Sequence, residues 1–272
     1  WTNSKRNSTE KTSMSYNTFQ PGRYQMLPEM TKYLLVINGL MYLATYVLSN
    51  TPLRPFFESL ALYQPGTPDF HLWQIFTSVF MHGSFLHLFS NMFSLWMFGA
   101  VIENIWGGRR FLNYYLVTAV GAGVLYLLVN QIEIGVAAGK LLSEGAPQTL
   151  LDALRKPSDL DVANSLIAQA GIPLNGDLLS KYYWTVHSSV VGASGAVFGI
   201  ILAFGMMFPN SLIYLYFAIP IKAKWFVIGY GVFEFVSGIS GIQSGIAHFA
   251  HVGGMLFGYL MIRYWKKRGI FR

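Results

Sequence analysis

The sequence has no cysteine and few charged residues. Its 272 residues include 19 Lys or Arg and 12 Asp or Glu, so charged residues make up 11% of the chain, against about a quarter in a soluble domain. The lack of cysteine excludes disulfide bridges, a thiol nucleophile and cysteine-bound zinc. Hydrophobic residues make up 53% of the chain, which excludes disorder as a description of the whole chain. The charges lie at the ends of long apolar runs, a pattern typical of membrane proteins.

The uncharged runs predict an all-α, polytopic membrane protein with six transmembrane helices, because a span takes about 20 helical residues. We predict helices at about 33–49, 77–102, 110–131, 184–208, 224–238 and 246–264. Prolines 209 and 220 and a Gly- and Ser-rich stretch at 237–245 separate the last three. The six-helix domain then occupies residues 33–264, between a polar cytoplasmic leader at 1–32 and a basic cytoplasmic tail at 265–272.

The distribution of Lys and Arg predicts the orientation of the bundle. With a cytoplasmic N-terminus, the inside segments hold 14 of the 19 basic residues, and both termini lie inside. The net charge of +7 is then explained by topology and by contact with anionic lipid, rather than by nucleic acid. We expect the lipid bilayer as a partner, no nucleic-acid partner, and a location in a bacterial cell (inner) membrane.

One segment is longer than a minimal bundle needs. It covers about residues 133–181, between the third and fourth helices on the outside of the membrane. Within it, Gln148–Arg155 and Leu160–Ala170 are predicted to form short amphipathic helices. A connection of this length is usually functional or disordered, but loops also accept insertions at little cost. A cap near the membrane face and a tolerated surface insertion both remain open.

Polar side chains inside apolar spans each cost a few kcal/mol and tend to face a cavity or a partner. His82, His87 and Asn91 lie on the predicted second helix, and the last two share a face because they are four residues apart. Ser194 lies in a small-residue stretch, Gly192–Gly195, early in the predicted fourth helix. Each group taken alone is also explained by contacts between neighbouring helices.

A third polar group lies on the predicted sixth helix. His251, Gly254 and Gly258 fall at positions i, i+3 and i+7, so one face carries an imidazole beside a smooth groove. A groove of this kind lets another helix approach closely, and the glycines of the fourth helix are expected to fit it.

Together the three groups indicate nucleophilic chemistry. A serine hydroxyl needs a base within hydrogen-bond reach, and a neutral buried histidine can be that base. The side chains of His87 and Asn91 and the Ser194 amide are suitable donors for an oxyanion. The predicted spans contain no Asp and one carboxylate, Glu234. We therefore predict a Ser–His dyad without an acidic third member, and expect Glu234 either to influence gating or to bond a neighbouring helix.

The three motifs resemble those of the rhomboid intramembrane serine proteases. They are H-x4-H-x3-N at His82, His87 and Asn91, G-x-S-G at Gly192–Gly195, and A-H-x-x-G-x3-G at Ala250–Gly258. The resemblance implies Ser194 as the nucleophile and His251 as the general base and acid. It also implies an oxyanion hole formed by His87, Asn91 and the Ser194 amide, with His82 in a supporting role.

The resemblance also guides the choice of base and its neighbours. His251 is preferred over His248 because Gly follows it at +3 and +7, as the family pattern asks. His248 is then a water-side neighbour one turn outward. Phe198 lies where many family members have an aromatic residue that packs on the imidazole. Glu103 with an arginine at 109–110 resembles a structural feature of the family, and a surface ion pair is the simpler interpretation.

By this resemblance the protein hydrolyses peptide bonds in or near transmembrane segments of membrane-protein substrates, with no cofactor and no metal. Zinc proteases need H-E-x-x-H, which is absent, and the spacing of the four span histidines does not support a metal site. The main alternative is a non-catalytic member of the same fold that binds membrane clients. A small transporter or channel would show inverted repeats or paired ionisable residues. The sequence leaves the oligomeric state open.

Overall fold

The computed structural model describes residues 24–170, 175–215, 218–240 and 247–270. Helices dominate these residues and are numbered in chain order. They are α1 (Glu29–Leu48), α2 (Arg54–Glu58), α3 (Gln74–Thr77), α4 (Phe85–Ser94), α5 (Ala100–Trp106), α6 (Gly108–Ser143), α7 (Gln148–Leu154), α8 (Leu160–Ala170), α9 (Gly176–Val186), α10 (Ser194–Met207), α11 (Ala223–Ser240) and α12 (His248–Lys267). Between α10 and α11, strand β1 (Leu212–Leu215) pairs antiparallel with β2 (Ile219–Lys222).

Three described helical segments have the length and composition of membrane spans. They are Glu29–Leu48, Phe85–Trp106 and Gly108–Ser143, and α10 is a shorter apolar helix. The second of these spans contains both α4 and α5, because a π turn at Leu95–Gly99 joins them without a break. Each of the six predicted helices has a counterpart, so the all-α polytopic class is confirmed. The small β hairpin occupies the predicted break between the prolines at 209 and 220.

Two of the predicted helices begin later than the sequence suggested. Helix α4 starts at Phe85, so His82 lies in the preceding loop and not on the helix. Helix α10 starts at Ser194, and the residues before it form an extended link in which Val190 pairs with Leu62 through two 3.0 Å backbone hydrogen bonds. Gly192 turns the chain with a φ of 126°. The sequence did not reveal this break because the link before Ser194 contains no charged residue.

The segment predicted as an insertion is a folded helical unit. Helix α6 continues to Ser143, so its 36 residues span about 54 Å, more than the roughly 30 Å of a bilayer core. Helices α7–α9 pack against its far end around a separate core that includes Leu141, Leu150 and Val186. Burial raises the pKa of the Tyr182 phenol, whose Oη donates to the Leu151 carbonyl at 3.3 Å. Both predicted amphipathic helices are present, as α7 and α8.

Close helix contacts bring α6, α10 and α12 together. A Cβ on Gly254 would collide with the backbone carbonyl of Gly195, and one on Gly258 would collide with the Tyr114 hydroxyl. Tyr114 also donates a 2.8 Å hydrogen bond to the carbonyl of Gly199. The predicted groove on α12 is therefore filled by a glycine of α10 at Gly254, as expected, and by Tyr114 of α6 at Gly258. This packing sets the start of α10 beside the first turn of α12.

Glu103 does not form the expected ion pair with an arginine. Its carboxylate, 4% exposed, accepts hydrogen bonds from the amides of Met30 and Thr31 at 2.8 and 2.7 Å, and from Thr31 Oγ1 at 2.7 Å. The amides in the first turn of a helix have no acceptor within the helix. A carboxylate placed there also complements the helix dipole. Glu103 therefore fastens the start of α1 to the end of α5.

Candidate active site

The structure brings Ser194 and His251 into hydrogen-bond contact. Ser194 is the first residue of α10 and His251 lies in the first turn of α12. Ser194 Oγ and His251 Nε2 are 2.9 Å apart, a usual length for a hydrogen bond. The Ser194 amide lies in the first turn of its helix, where the helix itself offers no acceptor. A serine hydroxyl, an imidazole and the N–H of a helix start thus lie close together.

The plane of the His251 ring is held by an aromatic neighbour. Phe198, one turn along α10 from Ser194, stacks on the imidazole with ring centroids 4.2 Å apart and planes 7° apart. Tyr230 of α11 packs against Phe198, with centroids 4.7 Å apart. The stack leaves the two ring nitrogens of His251 free to point along the ring plane, one toward α10 and one toward α11.

A carboxylate contacts the other side of the imidazole. Glu234 Oε2, on α11, lies 2.9 Å from Nδ1 of His251 and 2.7 Å from Nδ1 of His248. The Glu234 side chain is 4% exposed. We expected a dyad without an acidic member, whereas in the structure a serine, a histidine and a glutamate form a chain of hydrogen bonds. Glu234 does bond a neighbouring helix, and the residue that it bonds is the expected base.

The contact of Glu234 was missed for two reasons. The predicted spans contain no aspartate, and a single glutamate on a separate helix has no spacing relation to His251. The sequence also does not encode which residues of α11 and of the first turn of α12 face each other. One signal was available: a lone carboxylate in an apolar stretch needs a buried partner, and two histidines one turn apart are suitable. His248 was expected to face water, and this was wrong. It is 5% exposed because it packs against α11 and hydrogen-bonds to Glu234.

His87 and Asn91 face the turn that precedes Ser194. A Cβ on Gly192 would lie 2.7 Å from His87 Nε2 and 3.8 Å from Asn91 Nδ2. Asn91 Nδ2 is buried and donates to no group of the described residues. Two side-chain donors from α4 therefore lie close to the Ser194 backbone. Their presence beside the serine is what an oxyanion site requires.

His82 does not reach the serine. Its ring, 5% exposed, packs edge-on against His87 with centroids 5.1 Å apart. Neither of its ring nitrogens has a hydrogen-bond partner among the described residues. Its contact is therefore with the neighbouring imidazole, which it helps to hold in place.

A cavity of about 910 Å³ opens over these residues. The residues that line it include Ser194, His251, His87 and Asn91. Residues of α6 and α9 also line it, namely Glu133, Lys181, Trp184 and Thr185. The volume lies in the upper part of the range of ligand sites in proteins, so the cavity has room for several residues of an extended peptide.

The donor atoms of Glu234, His248 and His251 lie within 4.8 Å of one another. Two histidines and a glutamate are a ligand set that zinc sites use. Here, however, each Nδ1 faces the same carboxylate oxygen at hydrogen-bond length, and His251 bonds to Ser194 through its second nitrogen. A hydrogen-bond network accounts for these three residues without a metal.

The fold and the site define a multi-pass helical membrane protein in which a serine hydroxyl and an imidazole lie in hydrogen-bond contact. The Rhomboid domain model matches residues 69–140 and 167–268. The match covers more than half of the chain, and the chain belongs to the rhomboid family. The unmatched residues 141–166 fall within the folded insertion.

Curated rhomboid proteins of several organisms are similar to this chain. An uncharacterized mitochondrial rhomboid protein of Schizosaccharomyces pombe is 26% identical over 218 residues, which are 73% of this chain and 53% of that protein. The chloroplastic rhomboid-like protein 11 of Arabidopsis thaliana is 28% identical over 184 residues, 62% of each chain. The rhomboid-like protease 3 of Toxoplasma gondii is 28% identical over 110 residues, 39% of this chain and 41% of that protein.

The chain thus spans between 41% and 62% of the length of these three relatives. The rhomboid family is generally associated with membrane-protein substrates in the lipid bilayer, and membership supports a protease-like function in the membrane.

The expected location in a bacterial cell membrane is contradicted. Relatives in Schizosaccharomyces pombe, Arabidopsis thaliana and Saccharomyces cerevisiae carry the words mitochondrial or chloroplastic in their names. These names point to an organelle rather than to a bacterial cell. The distribution of Lys and Arg could not distinguish the two, because it reports which side of a membrane a loop occupies and not which membrane it is. The multi-pass membrane assignment stands.

Proposed function

We propose that this protein is an intramembrane serine endopeptidase that cleaves peptide bonds in or near transmembrane segments of membrane proteins. The observation that carries the proposal is the 2.9 Å contact between Ser194 Oγ and His251 Nε2 at the floor of the cavity. A serine is a weak nucleophile unless a base takes its proton. The contact supplies that base, and the nearby donors supply the rest of the site.

The reaction begins when the Ser194 hydroxyl attacks the carbonyl carbon of the scissile peptide bond. His251 Nε2 accepts the hydroxyl proton as the new C–O bond forms. The C–N bond then breaks, and the imidazolium returns the proton to the leaving amine. Water attacks the acyl-enzyme with His251 again as the base, which releases the carboxylic acid and restores the serine.

The negative oxygen of the tetrahedral intermediate needs preorganised donors. We assign this role to the Ser194 amide and to the side chains of His87 and Asn91, the last of which donates to no group of the described residues. Phe198 keeps the base in plane, and His82 supports His87. Gly254 lets α12 approach α10 closely enough for the serine and the base to meet, and Gly258 lets α12 approach Tyr114 of α6.

The substrate is a transmembrane protein segment that enters from the bilayer, past α11. A helical peptide bond is not open to attack, so the segment must unwind in the cavity before cleavage. The cavity accommodates an extended chain, and α11 exposes apolar side chains to the surrounding lipid, among them Val232 and Ile239 at 57% and 65% exposed. We place the protein in an organellar inner membrane, on the names of its relatives.

The test uses the purified protein in detergent and a fluorophosphonate probe, which labels activated serines. We expect labelling of the wild type and background labelling of Ser194→Ala and His251→Ala. Ser90→Ala and His187→Ala are the matched controls and retain labelling. Ser90 lines the same cavity but bonds to the Leu86 carbonyl, and His187 bonds to the Leu154 carbonyl in the insertion.

A folded wild type that stays unlabelled, while a known active rhomboid protease is labelled beside it, contradicts the proposal. A client-binding protein without catalysis would then be the better description. Circular dichroism and gel filtration of each variant establish that the protein compared is folded.

A further inference from the structure

Glu234 is a buried carboxylate, and one of its oxygens contacts two imidazoles. Its Oε2 accepts from Nδ1 of His248 at 2.7 Å and from Nδ1 of His251 at 2.9 Å. All three side chains are at most 12% exposed. A buried charge is tolerated only where it is paired and hydrogen-bonded, and the two histidines provide that pairing. The hydrogen bonds of this carboxylate oxygen thus go to the proposed base, His251, and to its neighbour, His248.

The geometry constrains where the protons lie. An ionised carboxylate accepts hydrogen bonds and has none to donate. Each histidine must then carry a proton on Nδ1 to bond with Glu234. A neutral imidazole carries one ring proton, so Nε2 of His251 is left as an acceptor. This is the nitrogen that lies 2.9 Å from Ser194 Oγ, and it can take the serine proton only in this tautomer.

We propose that Glu234 is a positioning residue that makes the reactive group a Ser–His–Glu triad, with His248 holding the carboxylate in place. The proposal rests on the function proposed above and adds a third member to it. Glu234 holds His251 in the tautomer that a base needs. It also faces the positive charge that appears on the imidazole during attack, in surroundings where a nearby opposite charge is screened little by water.

His248 has the lesser part in this arrangement. Its bond to Oε2 comes from the same helix as His251 and from one turn earlier, so it fixes the carboxylate in the plane that His251 requires. Removal of His248 leaves the bond between Glu234 and His251 in place. Removal of the charge on Glu234 affects both the tautomer and the developing imidazolium. The two substitutions therefore differ in the size of their effects.

The variant that tests the proposal is Glu234→Gln, which keeps the shape of the side chain. The glutamine amide can donate to Nδ1 and favour the wrong tautomer, as happens when an aspartate of a serine-protease triad becomes asparagine. The rate constant for probe inactivation, kinact, and the concentration for half-saturation, KI, are measured separately with the fluorophosphonate. We expect kinact to fall by about a hundredfold or more, with KI unchanged. We expect a smaller fall, under about tenfold, for His248→Ala.

Glu103→Gln is the matched control. Glu103 is the other carboxylate among the buried polar residues described, at 4% exposed, and it bonds to the start of α1 rather than to the reactive group. The substitution is expected to lower the unfolding temperature while kinact of the folded protein stays at the wild-type value. A structural role for Glu234 would make the two variants behave alike, which overturns the proposal.

A second measurement does not depend on the variant folding. Nitrogen-15 NMR of wild-type protein labelled at histidine reports which ring nitrogens carry protons, and His251→Ala identifies the signals of the base. We expect a protonated Nδ1 and an unprotonated Nε2 on His251. The opposite tautomer in the wild type, or a kinact of Glu234→Gln within threefold of the wild type, rules out the triad. Either result leaves a Ser–His dyad if the wild type is still labelled, whereas an unlabelled wild type counts against the protease function itself.

Discussion

At the scale of single residues, the position of Ser194 depends on Gly192, a neighbour without a side chain. Gly192 has a φ of 126° and turns the chain two residues before Ser194. A Cβ there would lie 2.7 Å from Nε2 of His87, closer than carbon and nitrogen atoms tolerate. Gly192 therefore has two roles: it permits the positive φ, and it leaves space for the His87 ring. A side chain at this position would push His87 away from the turn that leads to Ser194.

The substitution Gly192→Ala tests this dependence. The left-handed backbone costs a side-chain-bearing residue about 1–2 kcal/mol, and the new methyl group displaces His87. We expect fluorophosphonate labelling to slow by about tenfold or more, on the scale of a lost oxyanion donor, with a modest loss of thermal stability.

Gly139→Ala is the control for Gly192→Ala. Gly139 lies in helix α6, and no atom would lie within 4 Å of a Cβ added there. Alanine at this position is therefore expected to stabilise the helix slightly. Labelling of Gly192→Ala at the wild-type rate would show that His87 is not needed where the structure places it.

At the scale of elements, three helices meet through glycine. Helix α12 backs onto α10 at Gly254, where the nearest atom to an added carbon is a backbone carbonyl that has no room to move. The same helix also faces α11 near Gly231, where the nearest atoms belong to the flexible side chain of Met255. An added methyl group would therefore meet rigid backbone at Gly254 and a movable side chain at Gly231.

Gly254→Ala is expected to push α12 away from α10 and to separate Ser194 from His251. Overpacking of this kind costs about 1–3 kcal/mol, so both the unfolding temperature in detergent and probe labelling should fall. Gly231→Ala, which meets only a movable side chain, should leave both near the wild-type values. Equal stability of the two variants would mean that the α10–α12 contact is looser than the structure shows.

Much of this arrangement was accessible from sequence spacing. The four-residue separation of His87 and Asn91 and the i, i+3, i+7 spacing of His251, Gly254 and Gly258 are local, so they predict which residues share a helix face. The start of α10 at Ser194 was not predicted, because the apolar link before it carries no charge. The bond between Glu234 and His251 joins two helices whose relative rotation no spacing encodes. Two contacts between helices were nevertheless expected, the glycine contact of α12 with α10 and the pairing of Ser194 with His251. The contact of Glu234 was not.

At the scale of the whole molecule, the helix bundle and the insertion are packed around separate hydrophobic cores. The bundle core lies beneath the reactive group, and a second core, built around Leu141, Leu150 and Leu151, lies in the insertion. The two ends of the insertion line the cavity through Glu133 and Lys181, and the neighbouring Trp184, 69% exposed, lines it as well. This position beside the cavity favours a cap over a tolerated surface insertion.

Leu150→Ala tests whether the two cores are independent. Leu150 is fully buried in the insertion core, and truncation of a buried leucine costs about 2–5 kcal/mol. We expect faster hydrogen exchange in α7–α9. Probe labelling should stay within a few fold of the wild type, because the side chains of Ser194 and His251 bond to each other and to Glu234, and to no described residue of the insertion.

Leu142→Ala, at a position 41% exposed on the same end of α6, is the control and should alter exchange little. Loss of labelling in Leu150→Ala would show that the insertion holds the reactive group in place. Its role would then be structural support of the site rather than a wall of the cavity.

The serine and its base are 57 residues apart in the chain, and they meet only where α10 docks on α12. His251 lies on α12, which follows α10 and α11 along the chain, so synthesis delivers Ser194 to the membrane before it delivers His251. Under the protease function proposed above, cutting ability arises only after α12 has docked on α10. A copy still under synthesis then has no means to attack neighbouring chains at the insertion machinery.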